Sequence, residues 1–166
     1  QKLKLVFNYV PVQAMNTKVP KIKTIVAVAS GKGGVGKSTV TANLAVTLAQ
    51  LGHKVGVLDA DIYGPSMPLM FGLEEKSIVS DDGKTMVPYT AFDIAINSIG
   101  FLIPQQQAAI WRGPMASKAL MQLLTETDWP QLDILLVDMP PGTGDIQLTM
   151  SENIKCDGAV IVTTPQ

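Results

Sequence analysis

The 166-residue sequence contains one cysteine, one histidine and almost no net charge. Cys156 alone can form no internal disulfide and no multi-thiolate metal site within one chain, which favours a reducing compartment and makes the cytoplasm the expected location. Thirteen basic against fourteen acidic side chains leave a formal net charge of -1. Such a balance gives no electrostatic footprint for a nucleic-acid backbone or an anionic membrane, so neither is an expected partner. The uninterrupted apolar runs, such as Ile25 to Ala29 and Ile134 to Val137, fall far short of the roughly 18 residues that a bilayer span requires. Internal repeats are lacking too. The opening begins at Gln1, not Met, and has no basic start, apolar middle and small-residue cleavage site of a secretory signal, so an interior fragment is expected.

What is present is the composition of one globular domain, 46% hydrophobic and 16% charged. Residues 1–20 read as an extended arm, with Leu3, Leu5 and Phe7 alternating along it, followed by a polar linker between Pro11 and Pro20. The run Ile25 to Ala29 reads as a parallel strand buried on both faces. Val40, Leu44, Leu48 and Leu51 then recur at helical spacing, and Gly52 stands where a helix end favours positive φ, which predicts a helix over 37–51. His53 follows as a structural residue at that helix end. Further strands are expected at 54–60, 92–99, 132–137 and 159–163, with a short one at 85–88 and a polar excursion over 71–84 that turns at Asp81-Asp82-Gly83. Met115, Ala119, Leu120, Leu123 and Leu124 mark one face of another helix. Alternating strands and helices predict an α/β fold: a mostly parallel sheet flanked by helices on both faces.

The segment Gly31-Lys32-Gly33-Gly34-Val35-Gly36-Lys37-Ser38 satisfies G-x-x-x-x-G-K-[ST] and lies between the first of these strands and the first helix, as a P-loop must. Glycines let backbone N–H groups converge on phosphate oxygens without Cβ obstruction, and the helix N-terminus adds unpaired donors and its positive dipole end. A bound triphosphate with Mg²⁺ is therefore the expected guest. Lys37 would reach the β- and γ-phosphates and the Ser38 hydroxyl would join the Mg²⁺ shell.

Two carboxylates, Asp59 and Asp61, follow the second buried strand at the sheet edge where α/β proteins bind ligands. Alternation would aim both the same way, toward a cation or water, although a solvated turn would look similar. Leu135-Leu136-Val137-Asp138 is an apolar run closed by aspartate, the form of a Walker B strand whose carboxylate orients Mg²⁺. The loop from Met139 to Asp145 is either a shaped segment near the γ-phosphate or a plain connector. Cys156 reads as an ordinary thiol, with pairing across a dimer left open.

Ser30 to Thr39 resembles the deviant Walker A motif of the MinD, ParA and Mrp group of ATPases, with Lys32 as its signature lysine. Asp59-Ala60-Asp61-Ile62-Tyr63-Gly64-Pro65-Ser66-Met67-Pro68, Trp111-Arg112-Gly113-Pro114-Met115 and Asp138 to Asp145 together resemble the Mrp (ApbC) branch, iron-sulfur cluster carrier ATPases. The resemblance covers 21–166, the expected P-loop domain, and implies a sheet that is incomplete at the C-terminus of this sequence. It implies a homodimer in which Lys32 reaches the partner's phosphates, a cofactor-binding loop from Gly31 to Thr39, an Asp61 that positions the attacking water, and Mg²⁺ near Ser38, Asp61 and Asp138. It also implies exchange of clusters with donors and apo-proteins. The C-x-x-C pair that holds a bridging [4Fe-4S] cluster in that family is absent from this sequence. A MinD- or ParA-type positioning ATPase and a metabolic phosphotransferase stand as alternatives.

Overall fold

The structure, a computed structural model, describes residues 4–7, 19–74, 76–103, 107, 110–111, 113–142, 144, 147–148, 154 and 156–165. Among these residues, seven strands form one sheet: β1 (Lys4–Phe7), β2 (Ile22–Ala29), β3 (Val55–Asp59), β4 (Tyr89–Ala91), β5 (Ile94–Ser98), β6 (Leu132–Asp138) and β7 (Gly158–Thr163). Their order is β1-β7-β2-β6-β3-β5-β4. The five inner strands are parallel, and each edge strand runs antiparallel to its neighbour. The expected extended arm is thus β1, which pairs along β7 from Lys4 opposite Thr163 to Phe7 opposite Val160.

Strand pleating sends alternate side chains to opposite faces, and this chain fills both. On β6, Leu135 and Val137 pack with Leu120, Leu123 and Leu124 of α3 (Gly113–Thr125). Leu136, between them, packs on the other face with Ala45 of α1 (Lys37–Gln50) and with Val55, Val57, Ile94 and Ile96. Each such fully buried aliphatic side chain stabilises the fold by roughly 1.5–3 kcal/mol relative to exposure. Helices therefore cover both faces, as the alternating pattern predicts.

Helix α1 ends as expected. Gly52 takes φ 91 and donates to the carbonyl of Ala49, and His53 donates to that of Leu48. This pair of bonds is a Schellman cap, which satisfies carbonyls that would otherwise end the helix unpaired.

Two sequence expectations are corrected. The strand read over 92–99 begins at Ile94, because Phe92 and Asp93 take φ 51 and 59 and form a two-residue turn back to β4. The short strand at 85–88 is replaced by isolated bridges of Met86 to Thr127 and Val87 to Val79. A one-turn helix, α2 (Met67–Met70), was not foreseen; Pro68 occupies its first turn, where a missing N–H costs nothing.

Candidate functional site

Three neighbouring parallel strands deliver the site to one edge. Asp138, the last residue of β6, is in register with Val28 on β2 and Asp59 on β3. The loops beyond are tied across this edge: Ala60 donates to the Asp138 carbonyl at 2.9 Å, Met139 to that of Val28 at 3.0 Å and Gly142 to that of Ser30 at 2.9 Å. The segment that follows β6 thus lies between the glycine-rich loop after β2 and the segment after β3.

Within the loop, Gly34 and Gly36 take φ 75 and 88, values that residues bearing a Cβ rarely adopt, and no heavy atom lies within 4 Å of where either Cβ would point. Gly36 immediately precedes α1, so the loop discharges into a helix N-terminus. A cavity of about 270 Å³ opens there, lined by Gly33, Gly34, Gly36, Lys37, Ser38, Thr39, Asp61 and Pro141 among others. Lys32 lies exposed on the same loop, and its carbonyl accepts from Ser30 Oγ at 2.9 Å.

Beneath the loop the polar side chains converge on one carboxylate. Lys37 Nζ donates to Asp138 Oδ1 at 2.7 Å and Ser38 Oγ donates to Asp138 Oδ2 at 2.7 Å. Thr41 Oγ1, one turn along α1, lies 2.9 Å from Asp138 Oδ1 and 3.1 Å from the Lys37 carbonyl. Asp138 and Thr41 are fully buried and Lys37 is 6% exposed, so the ion pair lies in a medium where charges cannot be left alone.

The two aspartates after β3 have different surroundings. Alternation ends with the strand at Asp59. Asp59 is fully buried and accepts from Ser98 Oγ and the Met67 amide on Oδ2 and from the Asp61 amide on Oδ1. Burial and the charge of Asp138 push its carboxyl up to about 7 despite these donors. Asp61 lines the cavity, 3.7 Å from Lys37 Nζ. Burial raises its carboxyl above the usual range, opposed by Lys37 and by the Tyr63 and Gly64 amides that donate to Oδ1.

Every loop and metal position expected from sequence is therefore brought to this edge: Gly31 to Thr39, Asp61 and Asp138. Arg112, Thr143 and Asp145 lie outside the described residues. Sequence reasoning missed Thr41 and Ser98, because a hydroxyl within a helix or at a strand end carries no motif. Two carboxylates, Asp61 and Asp138, against one ammonium leave negative charge suited to a hard cation, and one or two carboxylates with a hydroxyl and phosphate oxygens are the usual Mg²⁺ donors, so the residues fit Mg²⁺ with a nucleotide. They do not fit an iron-sulfur cluster. Among the described residues no group of three or more His, Cys, Asp or Glu is placed to hold a metal, and half-buried Cys156 has its thiol pushed up to about 11 by burial and by Asp157.

Comparison with known proteins gives a consistent picture. Residues 21–166 match ParA, the NUBPL iron-transfer P-loop NTPase family. The chain is 62% identical over 145 residues to an iron-sulfur cluster carrier protein of Salmonella typhimurium, covering 87% of the chain and 39% of that relative. The corresponding Aquifex aeolicus protein is 55% identical over 150 residues, covering 90% of the chain and 41% of the relative. The chain thus spans about two fifths of the length of these curated relatives. Among solved structures, a nucleotide-binding protein of Archaeoglobus fulgidus in complex with ADP superposes with a TM-score of 0.76 at 46% identity, over 89% of this chain and 57% of the other. The septum site-determining protein MinD of Pyrococcus horikoshii, complexed with Mg-ADP, shares the fold at a TM-score of 0.59 and 24% identity, over 86% of this chain and 58% of the other.

Proposed function

This chain belongs to the ParA family of NUBPL iron-transfer P-loop NTPases, and we propose from that premise that it is the nucleotide-binding part of an ATP-hydrolysing iron-sulfur cluster carrier. The observation that carries the nucleotide assignment is the convergence of Lys37, Ser38 and Thr41 on Asp138 beneath an open glycine loop at a helix N-terminus. The carrier assignment is supported by relatives that bear that name at 54–62% identity.

In this reading the amides from Gly31 to Thr39 hold the phosphates of ATP. Lys37 exchanges its bond to Asp138 for the β- and γ-phosphate oxygens, a short move for a side chain already at the cavity wall. Ser38 and Asp138 would hold Mg²⁺, with Asp61 beside them. Mg²⁺ supplies charge neutralisation at the phosphate oxygens. Asp61 orients a water toward the γ-phosphorus; water oxygen bonds to phosphorus, the bond to the β,γ-bridging oxygen breaks, and ADP and inorganic phosphate leave. Such catalysis is positioning and electrostatics more than covalent chemistry. Exposed Lys32 would reach the phosphates bound by the second copy in a homodimer.

The cluster is the cargo of the whole carrier, received from donors and passed to apo-proteins, with its ligands supplied by segments other than those described. No helix among the described residues is long and apolar enough to cross a membrane. Cells lacking the intact protein are expected to lose activity in iron-sulfur enzymes, and a Lys37→Ala copy is expected not to restore it. Normal activity of all such enzymes in those cells would contradict the carrier role.

A further inference from the structure

We propose that Thr41 is a positioning residue for the metal side of the site: its hydroxyl holds the Asp138 carboxylate in place once Lys37 has turned to the nucleotide. The inference rests on the nucleotide-binding reading above and adds to it a residue outside the P-loop pattern.

The Asp138 carboxylate receives three donors from α1 and the turn that opens it. Oδ2 takes the Ser38 hydroxyl, while Oδ1 is shared by Lys37 Nζ at 2.7 Å and Thr41 Oγ1 at 2.9 Å. Thr41 has one proton and two acceptors within reach, Asp138 Oδ1 and the Lys37 carbonyl at 3.1 Å. The nearer acceptor is also the charged one, and charge-assisted bonds are the stronger, so the proton points to Asp138.

These three donors differ in what nucleotide does to them. Lys37 lines the cavity, and phosphate oxygens compete for its ammonium. Ser38 lines it too, and its oxygen is wanted by the cation. Thr41 does neither: it is fully buried on the core side of α1 and absent from the cavity wall, so its bond to Oδ1 persists in every state of the site. A β-branched side chain in a helix has few χ1 choices, which keeps that hydroxyl aimed. When Lys37 leaves, Thr41 is the donor that prevents the carboxylate from rotating away from Ser38.

The consequence is a selective one. In the metal-free ADP complex Ser38 still donates to Asp138 after Lys37 has turned to the phosphates, so loss of the Thr41 hydroxyl has less to act on; with metal the Ser38 oxygen is engaged as well, and Thr41 is the donor left to orient Asp138. The test compares Thr41→Val and Thr41→Ser with wild type in the 166-residue chain, titrating ADP with and without metal by calorimetry and titrating Mn²⁺ into the ADP complex by electron paramagnetic resonance. For Thr41→Val the Mn²⁺ or Mg²⁺ concentration at half-saturation is expected to rise about tenfold, the equivalent of about 1.4 kcal/mol for one charge-assisted bond. Metal-free ADP affinity is expected to move much less, and Thr41→Ser to restore metal affinity. Unchanged metal affinity in Thr41→Val would overturn the proposal, as would metal-free and metal-bound affinities falling together by the same factor, which marks a merely structural residue. Wild-type chain that binds ADP with no metal dependence would overturn the proposal while leaving the nucleotide-binding reading intact, and folded wild-type chain that binds no ADP with or without metal would overturn that reading itself.

Discussion

The ammonium of Lys37 and the carboxylate of Asp138 meet at 2.7 Å inside the protein although 101 positions separate them in the chain. The P-loop lysine and the end of the β6 strand are thereby joined, and the pair is both the hub of the candidate site and a buried charge pair of the fold.

Lys37→Ala is expected to show both roles. Removing one member of a buried pair leaves an uncompensated charge, so the variant should lose roughly 3 kcal/mol of stability in urea denaturation. Phosphate binding should disappear at temperatures where circular dichroism shows it folded. Stability equal to wild type would mean that the pair contributes nothing, and equal ATP affinity would remove Lys37 from the site.

Asp61→Ala should behave differently. Asp61 faces the cavity, lies 3.7 Å from Lys37 and otherwise accepts from the Tyr63 and Gly64 amides. In the complete protein, nucleotide affinity should stay within a few-fold of wild type while ATP turnover falls by at least about a hundredfold, a barrier increase of several kcal/mol. Turnover close to wild type would show that another group positions the water.

Asp59 carries a pH dependence whose sign follows from its carboxyl being pushed up from 3.8 to about 7. The folded chain holds this proton more tightly than the unfolded chain between those values. Its burial therefore costs nothing below about pH 4, and stability is lost as pH rises through about 7. Asp61, also raised, acts in the same direction. Denaturation midpoints measured without metal should fall from pH 5 to pH 8, and Asp59→Asn should flatten that fall. A rising profile would contradict the burial assignment.

Much of this was legible in the sequence because the constraints are local. The P-loop spacing, the apolar runs of the inner strands and Gly52 after a helical pattern each state a backbone requirement in a few adjacent residues. The β4–β5 hairpin was not legible, since its turn puts Phe92 at φ 51, a conformation that an aromatic residue rarely takes. The separate fates of Asp59 and Asp61 were hidden for another reason. Alternation speaks only within a strand, and β3 stops at Asp59, whose partners Ser98 and Met67 come from other elements. Thr41 reads in sequence as one more small residue in a helix, and only the fold brings Asp138 to it.

Gly56 shows a packing constraint without a motif. A Cβ there would meet Leu132 Cδ1 at 2.5 Å and Leu135 Cδ1 at 3.0 Å, both on buried leucines. Gly56→Ala should cost about 1–3 kcal/mol in thermal or urea denaturation through overpacking. An unaltered midpoint would mean that the two leucines repack freely.

Cys156 should react slowly with iodoacetamide at pH 7.5, because its thiol is pushed up to about 11 and is half-buried. Alkylation should accelerate on unfolding in urea. Native-state labelling as fast as a free thiol would contradict this placement.

The most direct measurement is a calorimetric titration of Mg-ATP and Mg-ADP into the folded 166-residue chain beside Lys37→Ala. Saturable binding with one nucleotide per chain, lost in the variant, is the expected result. A folded chain that binds neither nucleotide, or a Lys37→Ala variant that binds them as tightly as wild type, would contradict the assignment of this edge as a nucleotide site.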